Sequence, residues 1–152
     1  MAKFDQEVRR AYGKNLLFLK IVRQVDKQNL IEMKKMVKKF GWPTISLVSR
    51  RTSHMAWLLV QHADSDVRFQ QHCLELMKRA VKGGEVTKAN IAYLTDRILV
   101  NKGTPQIYGT QFYRNRAGKL LPRPVLNVRS LDRRRKEMGL ASFKDYKQKV
   151  EL

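Results

Sequence analysis

The side chains best able to do chemistry lie in the stretch AWLLVQHADSD, from Ala56 to Asp66. His62 follows an apolar run, Met55 to Val60, with Gln61 before it and Asp64 two residues on. Imidazole exchanges a proton near neutral pH, so His62 is a candidate general acid or base. Asp64, or a carboxylate brought in by folding, would orient the ring or stabilise its charged form. The bland alternatives are a hydrogen-bonded core histidine and a histidine set at a helix end by the dipole. Helical spacing puts Met55, Leu58, Leu59 and His62 on one line, which predicts that His62 takes the fourth place of an inward stripe. The same spacing aligns Ala89, Ala92, Tyr93 and Asp96. Asp96 is therefore expected to face inward, where an ionised carboxylate requires a partner or several donors. Arg97 cannot supply this, because neighbours on a helix diverge by about 100°. His62 or the later hairpin could. A buried acid tying a helix to a loop is the structural alternative.

GTPQIYGTQF, residues 103–112, is the second dense polar cluster. Tyr108 can donate, accept or act as an acid. Gln106 and Gln111 supply amide forks, Thr110 a hydroxyl, and Gly109 permits close backbone approach. This segment is expected to line a pocket with Asp96 and His62. His54 reads as a surface or capping residue, His72 as scaffold and Cys73 as core. The three histidines and one cysteine lack metal-ligand spacing, and no phosphate-binding, dinucleotide or nucleophile-elbow motif occurs. The sequence thus calls for no metal and no cofactor.

The elements that must position these residues are mostly helical. Residues 5–25 read as one helix through Val8, Tyr12, Leu16, Leu19 and Val22 or Arg23, with Gly13 as a weak point. Asp26 is expected to cap a second, striped by Leu30, Met33, Val37 and Phe40 and ended by Gly41 and Pro43. Its other face carries Lys34, Lys35, Lys38 and Lys39. A third helix spans about 50–63 from Ser49 or Ser53. A fourth spans about 66–82 from Ser65, and a fifth about 88–101 from Thr87. QIYGTQFYRNRAGKLLPRPV then predicts a β-hairpin with Gln106, Tyr108, Thr110 and Phe112 on one face, turning at NRAG. Pro122 and Pro124 confine the return strand to an edge. Short helices capped by Ser130 and Ser142 close the chain. The fold class is mainly α: a single-domain bundle of about five main helices, one hairpin near the C-terminus and short C-terminal helices. Within residues 1–152 the reading separates an N-terminal helix (1–25), a core with the signature motifs (26–112) and a basic hairpin with C-terminal helices (113–152).

The chain has 152 residues and a net charge of +19. Residues 1–50 carry +8, residues 51–100 only +2, and residues 101–152 carry +9. Charge and candidate chemistry therefore sit apart. Such a surplus attracts polyanions. No apolar run is long enough to span a bilayer, and the opening MAKFDQEVRR has no signal-peptide core, so a cytoplasmic protein without membrane association is expected. A lone cysteine forms no internal disulfide.

Taken together, GWPT (Gly41–Thr44), WLLVQHAD (Trp57–Asp64), FQ (Phe69–Gln70), YLTDR (Tyr93–Arg97), PQIYGTQF (Pro105–Phe112) and RRRKEMGLASFKDY (Arg133–Tyr146) carry a resemblance. Over about residues 26–147 the chain resembles an uncharacterised bacterial single-domain family, a domain of unknown function. The resemblance implies that Trp42, Gln61, His62, Asp64, Asp96, Arg97, Gln106, Tyr108, Gly109, Thr110 and Gln111 form a set; it implies no reaction. This chain departs from the family pattern in its strong positive charge, and in Ser49 and Arg50, where a glycine-containing turn is expected.

Two functions compete. In the first, the protein is a small metal-independent acid–base enzyme acting on an anionic or polar substrate by hydrolysis, elimination or group transfer. His62, Asp96, Tyr108 and Asp64 would be catalytic. Trp42, Gln61, Arg97, Gln106, Thr110 and Gln111 would bind substrate. In the second, it is a non-catalytic RNA- or DNA-binding protein. There Lys34, Lys35, Lys38 and Lys39 form one basic face. Arg133, Arg134, Arg135 and Lys136 form another, and Arg114, Arg116 and Lys119 join Phe112 and Tyr113 for stacking with phosphate contact. A toxin, effector or module binding an acidic partner is a third possibility.

Overall fold

The architecture follows from where glycine and proline stop the helices and where one acid bends the chain. The computed structural model describes residues 1–4, 6 and 16–151. The expected positions Val8, Tyr12 and Gly13 lie outside the described residues. Mostly helical elements, one antiparallel hairpin and short C-terminal helices agree with the expected class. The chain divides into two compact units, Met1–Val86 and Thr87–Leu152, where the sequence reading has one domain.

In the first unit, helix α1 spans Leu16–Phe40 without a break. The expected cap at Asp26 does not form, because no glycine or proline interrupts the helix there and the apolar spacing continues. Leu30, Met33 and Val37 are buried, whereas Phe40, expected on the same stripe, is 65% exposed. Gly41 ends the helix at φ +74°, its N–H returning to the Val37 carbonyl at 2.9 Å. A four-residue helix α2, Ile45–Val48, occupies what reads as a loop. The Glu85 carboxylate accepts the Ser46 N–H at 2.8 Å. Helix α3 is Arg50–Gln61 and α4 is Val67–Ala80. Both α1 and α2 pack on α3, and α3 packs on α4.

Helix α3 buries Leu59 of the predicted line together with Gln61, and its longest buried line is Ser53, Ala56, Trp57 and Val60, followed by Ala63. This is also an i, i+3, i+4, i+7 series, rotated from the one containing His62. His62 is instead the C-cap of α3, and it is half-buried. Trp57 with Val60 is buried on this line whereas Met55 and Leu58 are half-buried, and the large indole area favours that rotation. Asp66, not Ser65, caps α4, its side chain accepting the Phe69 N–H at 2.9 Å. Phe69, Cys73 and Met77 recur at i, i+4, i+8 on the inner face. Burial pushes the Cys73 thiol up to about 12, with Asp66 adding to the effect, so it is an inert core residue.

The second unit holds α5 (Lys88–Asn101), strands β1 (Phe112–Arg114) and β2 (Leu120–Pro122), α6 (Leu131–Glu137) and α7 (Phe143–Glu151). The strands pair antiparallel with Phe112 opposite Pro122 and Arg114 opposite Leu120. Residues 106–111 are not strand, contrary to the predicted alternation. They form an irregular loop, with Gln106 bridged to Val125. Gly109 sits at φ +68°, and a Cβ there would lie 2.8 Å from the Phe143 ring. Ser142 caps α7, its hydroxyl accepting from the Asp145 N–H at 3.2 Å and donating to the Asp145 carboxylate at 2.7 Å.

Ser49 links α2 to α3 at φ 82°, ψ 155°, a region that glycine alone occupies without strain. This is the position where the family pattern leads one to expect a glycine-containing turn. Its hydroxyl accepts from the Thr52 N–H at a long 3.4 Å, a weak return for the strain. Because glycine caps helices nearly as well as serine, Ser49→Gly is expected to raise stability by roughly 1 kcal/mol in urea denaturation. A loss of stability would show that the cap outweighs the backbone term.

Candidate functional site

In the second unit the expected site residues build one another. Asp96 is fully buried on α5. Its Oδ1 accepts from the N–H groups of Ile107 at 2.7 Å and Tyr108 at 2.9 Å. Its Oδ2 accepts from the Thr110 N–H and hydroxyl, both at 2.9 Å. Burial holds this carboxyl above the ordinary carboxylate range, and the Tyr108, Thr110 and Ile107 donors pull it back. Gln106, also fully buried, donates to the Gln111 and Arg123 carbonyls at 3.0 and 2.8 Å and accepts from the Gln111 N–H at 2.8 Å. Gln111 in turn donates to the Thr110 hydroxyl at 3.0 Å and accepts from Arg97 at 3.2 Å.

Asp96, Arg97, Gln106, Thr110 and Gln111 thus form one network, and the loop's own backbone is its ligand. Tyr108 gives this network its N–H and its carbonyl; its side chain is half-buried. Burial raises the Tyr108 phenol above its ordinary range, and Asp96 adds to that.

Arginines complete the loop from its carbonyl side. Arg134 donates to the Ile107 carbonyl at 2.9 Å and to those of Leu126 and Asn127 at 2.6 and 3.1 Å. Arg135 donates to the carbonyls of Tyr108 and Ala141 and is 1% exposed. Both therefore leave the set of phosphate-contact candidates, and of that run Arg133 and Lys136 remain exposed.

In the first unit, a cleft of about 770 Å³ runs between α1 and the turn that joins α3 to α4. His62, Asp64, Ser65 and Asp66 line one wall, and Arg23, Asp26, Lys27 and Lys34 line the other. Arg23, Lys27 and Lys34 fall at i, i+4 and i+11, one face of α1. The turn is held by Gln70, fully buried, whose amide donates to the Val60 carbonyl at 3.1 Å and to Asp64 at 3.3 Å. Asp66 pairs with Lys34 at 2.5 Å. The hydrogen bond from Lys34, and then the Phe69 N–H, hold the Asp66 carboxyl below its ordinary value. Arg23 and Lys27 have no ion-pair partner among the described residues. Trp42 and Gln61 are buried and do not line this cleft. Sequence reasoning missed Arg23, Lys27 and Gln70, because only tertiary packing sets a helix face against a distant turn. Among the described residues no group of three or more His, Cys, Asp or Glu could hold a metal.

The model of a family of unknown function, DUF6624, matches residues 12–152. The chain belongs to that family. The match extends on both sides of the 26–147 span over which the resemblance is read. No curated protein and no solved structure matches the chain.

Asp96→Ala leaves three backbone N–H groups without their acceptor and is expected to cost roughly 3 kcal/mol or more in urea denaturation. Asp96→Asn is expected to recover little of it, since its amino group opposes donors. His62→Ala, at a half-buried cap, should cost under about 1 kcal/mol. Similar costs for Asp96→Ala and His62→Ala would overturn the structural role given to Asp96.

Because folding lowers the Asp66 pKa, the cap and ion pair stabilise the fold above the ordinary value of 3.8. That contribution disappears as pH falls through the lowered value. Asparagine keeps the cap without the charge. The melting temperature of Asp66→Asn should therefore fall less steeply than that of the parent below about pH 4; parallel curves would remove Asp66 from the acid response.

Proposed function

We propose that the protein is a cytoplasmic acid–base enzyme acting on an anionic or polar substrate, and that its working site is the cleft of the first unit. One observation carries this reading: a half-buried histidine shares a roomy cleft with cations that have no ion-pair partner among the described residues. His62 takes or gives the proton. Asp64, two residues on, stabilises the charged imidazole. Arg23 and Lys27 hold the anionic group of the substrate, with Lys34 held in place by Asp66. Of the residues first assigned to catalysis, His62 and Asp64 keep their roles here. Asp96, Gln106, Thr110 and Gln111 instead hold a loop in shape. No helix among the described residues is long and apolar enough to cross a membrane.

The test is turnover on a panel of phosphate and carboxylate esters. His62→Ala is expected to keep its melting temperature and to lower kcat by about 10²–10⁴. Arg23→Ala with Lys27→Ala should raise KM about tenfold with a smaller change in kcat. Unchanged turnover in His62→Ala would sink the reading.

A second reading, nucleic-acid binding, is favoured by the hairpin. Arg116 and Lys119 project from its turn and Arg114 donates to the Gly118 carbonyl there. Arg123 lies over the Tyr113 ring at 4.9 Å, an exposed pair suited to base stacking. Salt-dependent retardation of RNA that survives His62→Ala but is lost in Arg116→Ala with Lys119→Ala would support it.

A further inference from the structure

Among the described residues of the second unit, Arg135 is the fully buried cation. Its Nε donates to the Ala141 carbonyl at 2.7 Å and its Nη1 to the Tyr108 carbonyl. The guanidinium lies over the rings of Tyr146 at 4.8 Å and Phe143 at 5.8 Å. Among the described residues no carboxylate pairs with it, and Nη2 has no acceptor. Ring faces and carbonyls lower the cost of a buried guanidinium, and the carboxylates of Asp132 and Asp96 act on it at a distance without an ion-pair contact. The same side chain lines a cleft of about 470 Å³ together with Tyr93, Leu140, Asp145, Tyr146 and Lys149. A buried guanidinium without an ion-pair contact, lining an open cleft, is an arrangement in which an anionic ligand gains from binding.

We propose that this cleft binds a small monocarboxylate with an apolar body, its carboxylate anchored on the Nη2 amino group of Arg135. Lys149 at the exposed rim adds a second positive charge. Leu140 and the Tyr93 and Tyr146 rings offer the apolar wall. Asp145 also lines the cleft, and its charge disfavours a phosphate dianion relative to a single carboxylate. The volume suits an aromatic or medium-chain acid rather than a large cofactor. This site is separate from the His62 cleft and independent of the reading given to it.

Arg135 also holds the 107–110 loop, so its removal would test the fold rather than the site. The experiment is therefore an NMR titration of the full chain with benzoate, hexanoate, acetate and inorganic phosphate, repeated on Leu140→Trp and Lys149→Glu. Leu140→Trp fills the cleft; Lys149→Glu reverses the rim charge on an exposed helix position. Saturable binding of benzoate or hexanoate at about 1 mM or tighter is expected, with shifts at Tyr93, Ala141 and Tyr146. Acetate should bind at least about tenfold more weakly for want of an apolar body. Each variant should weaken hexanoate about tenfold. No saturation up to about 10 mM, phosphate binding as tightly as hexanoate, or undiminished binding in both variants would each overturn the proposal.

Discussion

One carboxylate bends the second unit. Asp96 faces three successive-region amides, those of Ile107, Tyr108 and Thr110, and the Thr110 hydroxyl. An extended strand points alternate amides in opposite directions and cannot aim three at one acceptor. The chain must curl, and Gly109, at positive φ beneath the Phe143 ring, is where it does so. The network of Gln106, Gln111 and Arg97 then closes around the same loop. An acid that reads as a catalytic candidate is in this fold the centre of a backbone-binding shell.

The loop is held from both sides by charge. Its N–H groups are met by an anion, and the carbonyls of Ile107 and Tyr108 are met by the guanidinium groups of Arg134 and Arg135. Side chains here do what a strand partner does elsewhere: they satisfy buried backbone donors and acceptors. Tyr146 adds a hydrogen bond from its hydroxyl to the Thr110 carbonyl at 3.3 Å. Residues far apart in sequence, around 96, 106–111 and 134–146, are thereby tied together. Part of the positive charge is thereby structural. Residues 87–152 hold 15 Lys+Arg against 5 Asp+Glu, yet two of those arginines point inward. What remains for an external anion is the hairpin, the exposed Arg129 and Arg133, the exposed lysines and the Nη2 edge of Arg135.

The first unit follows a different rule. Its core is apolar and helical, and its polar chemistry gathers where a helix ends. His62 caps α3, Asp66 caps α4, and Gln70 locks the turn between them. A turn of this kind exposes side chains that a helix interior would hide. There the His62 imidazole lines a cleft with Arg23, Lys27 and Lys34 of α1.

The sequence by itself determined the longer helices after Gly41, though not the four-residue α2, because glycine and proline end helices locally and need no tertiary partner. It also determined that Asp96 points inward, since 3.6-residue spacing fixes a side chain's face. Two equally regular stripes cross on α3, and only packing, favouring Trp57 and Val60 over Met55 and Leu58, turned His62 to the helix end. Alternation in QIYGTQF reads as strand because local pattern cannot register a distant carboxylate that collects three amides. The continuity of α1 through Asp26 and the inward turn of Arg134 and Arg135 were likewise decided in three dimensions. A cap residue forms a cap only when the chain has reason to break, and a charged run lies in solvent only when no carbonyl waits beneath it.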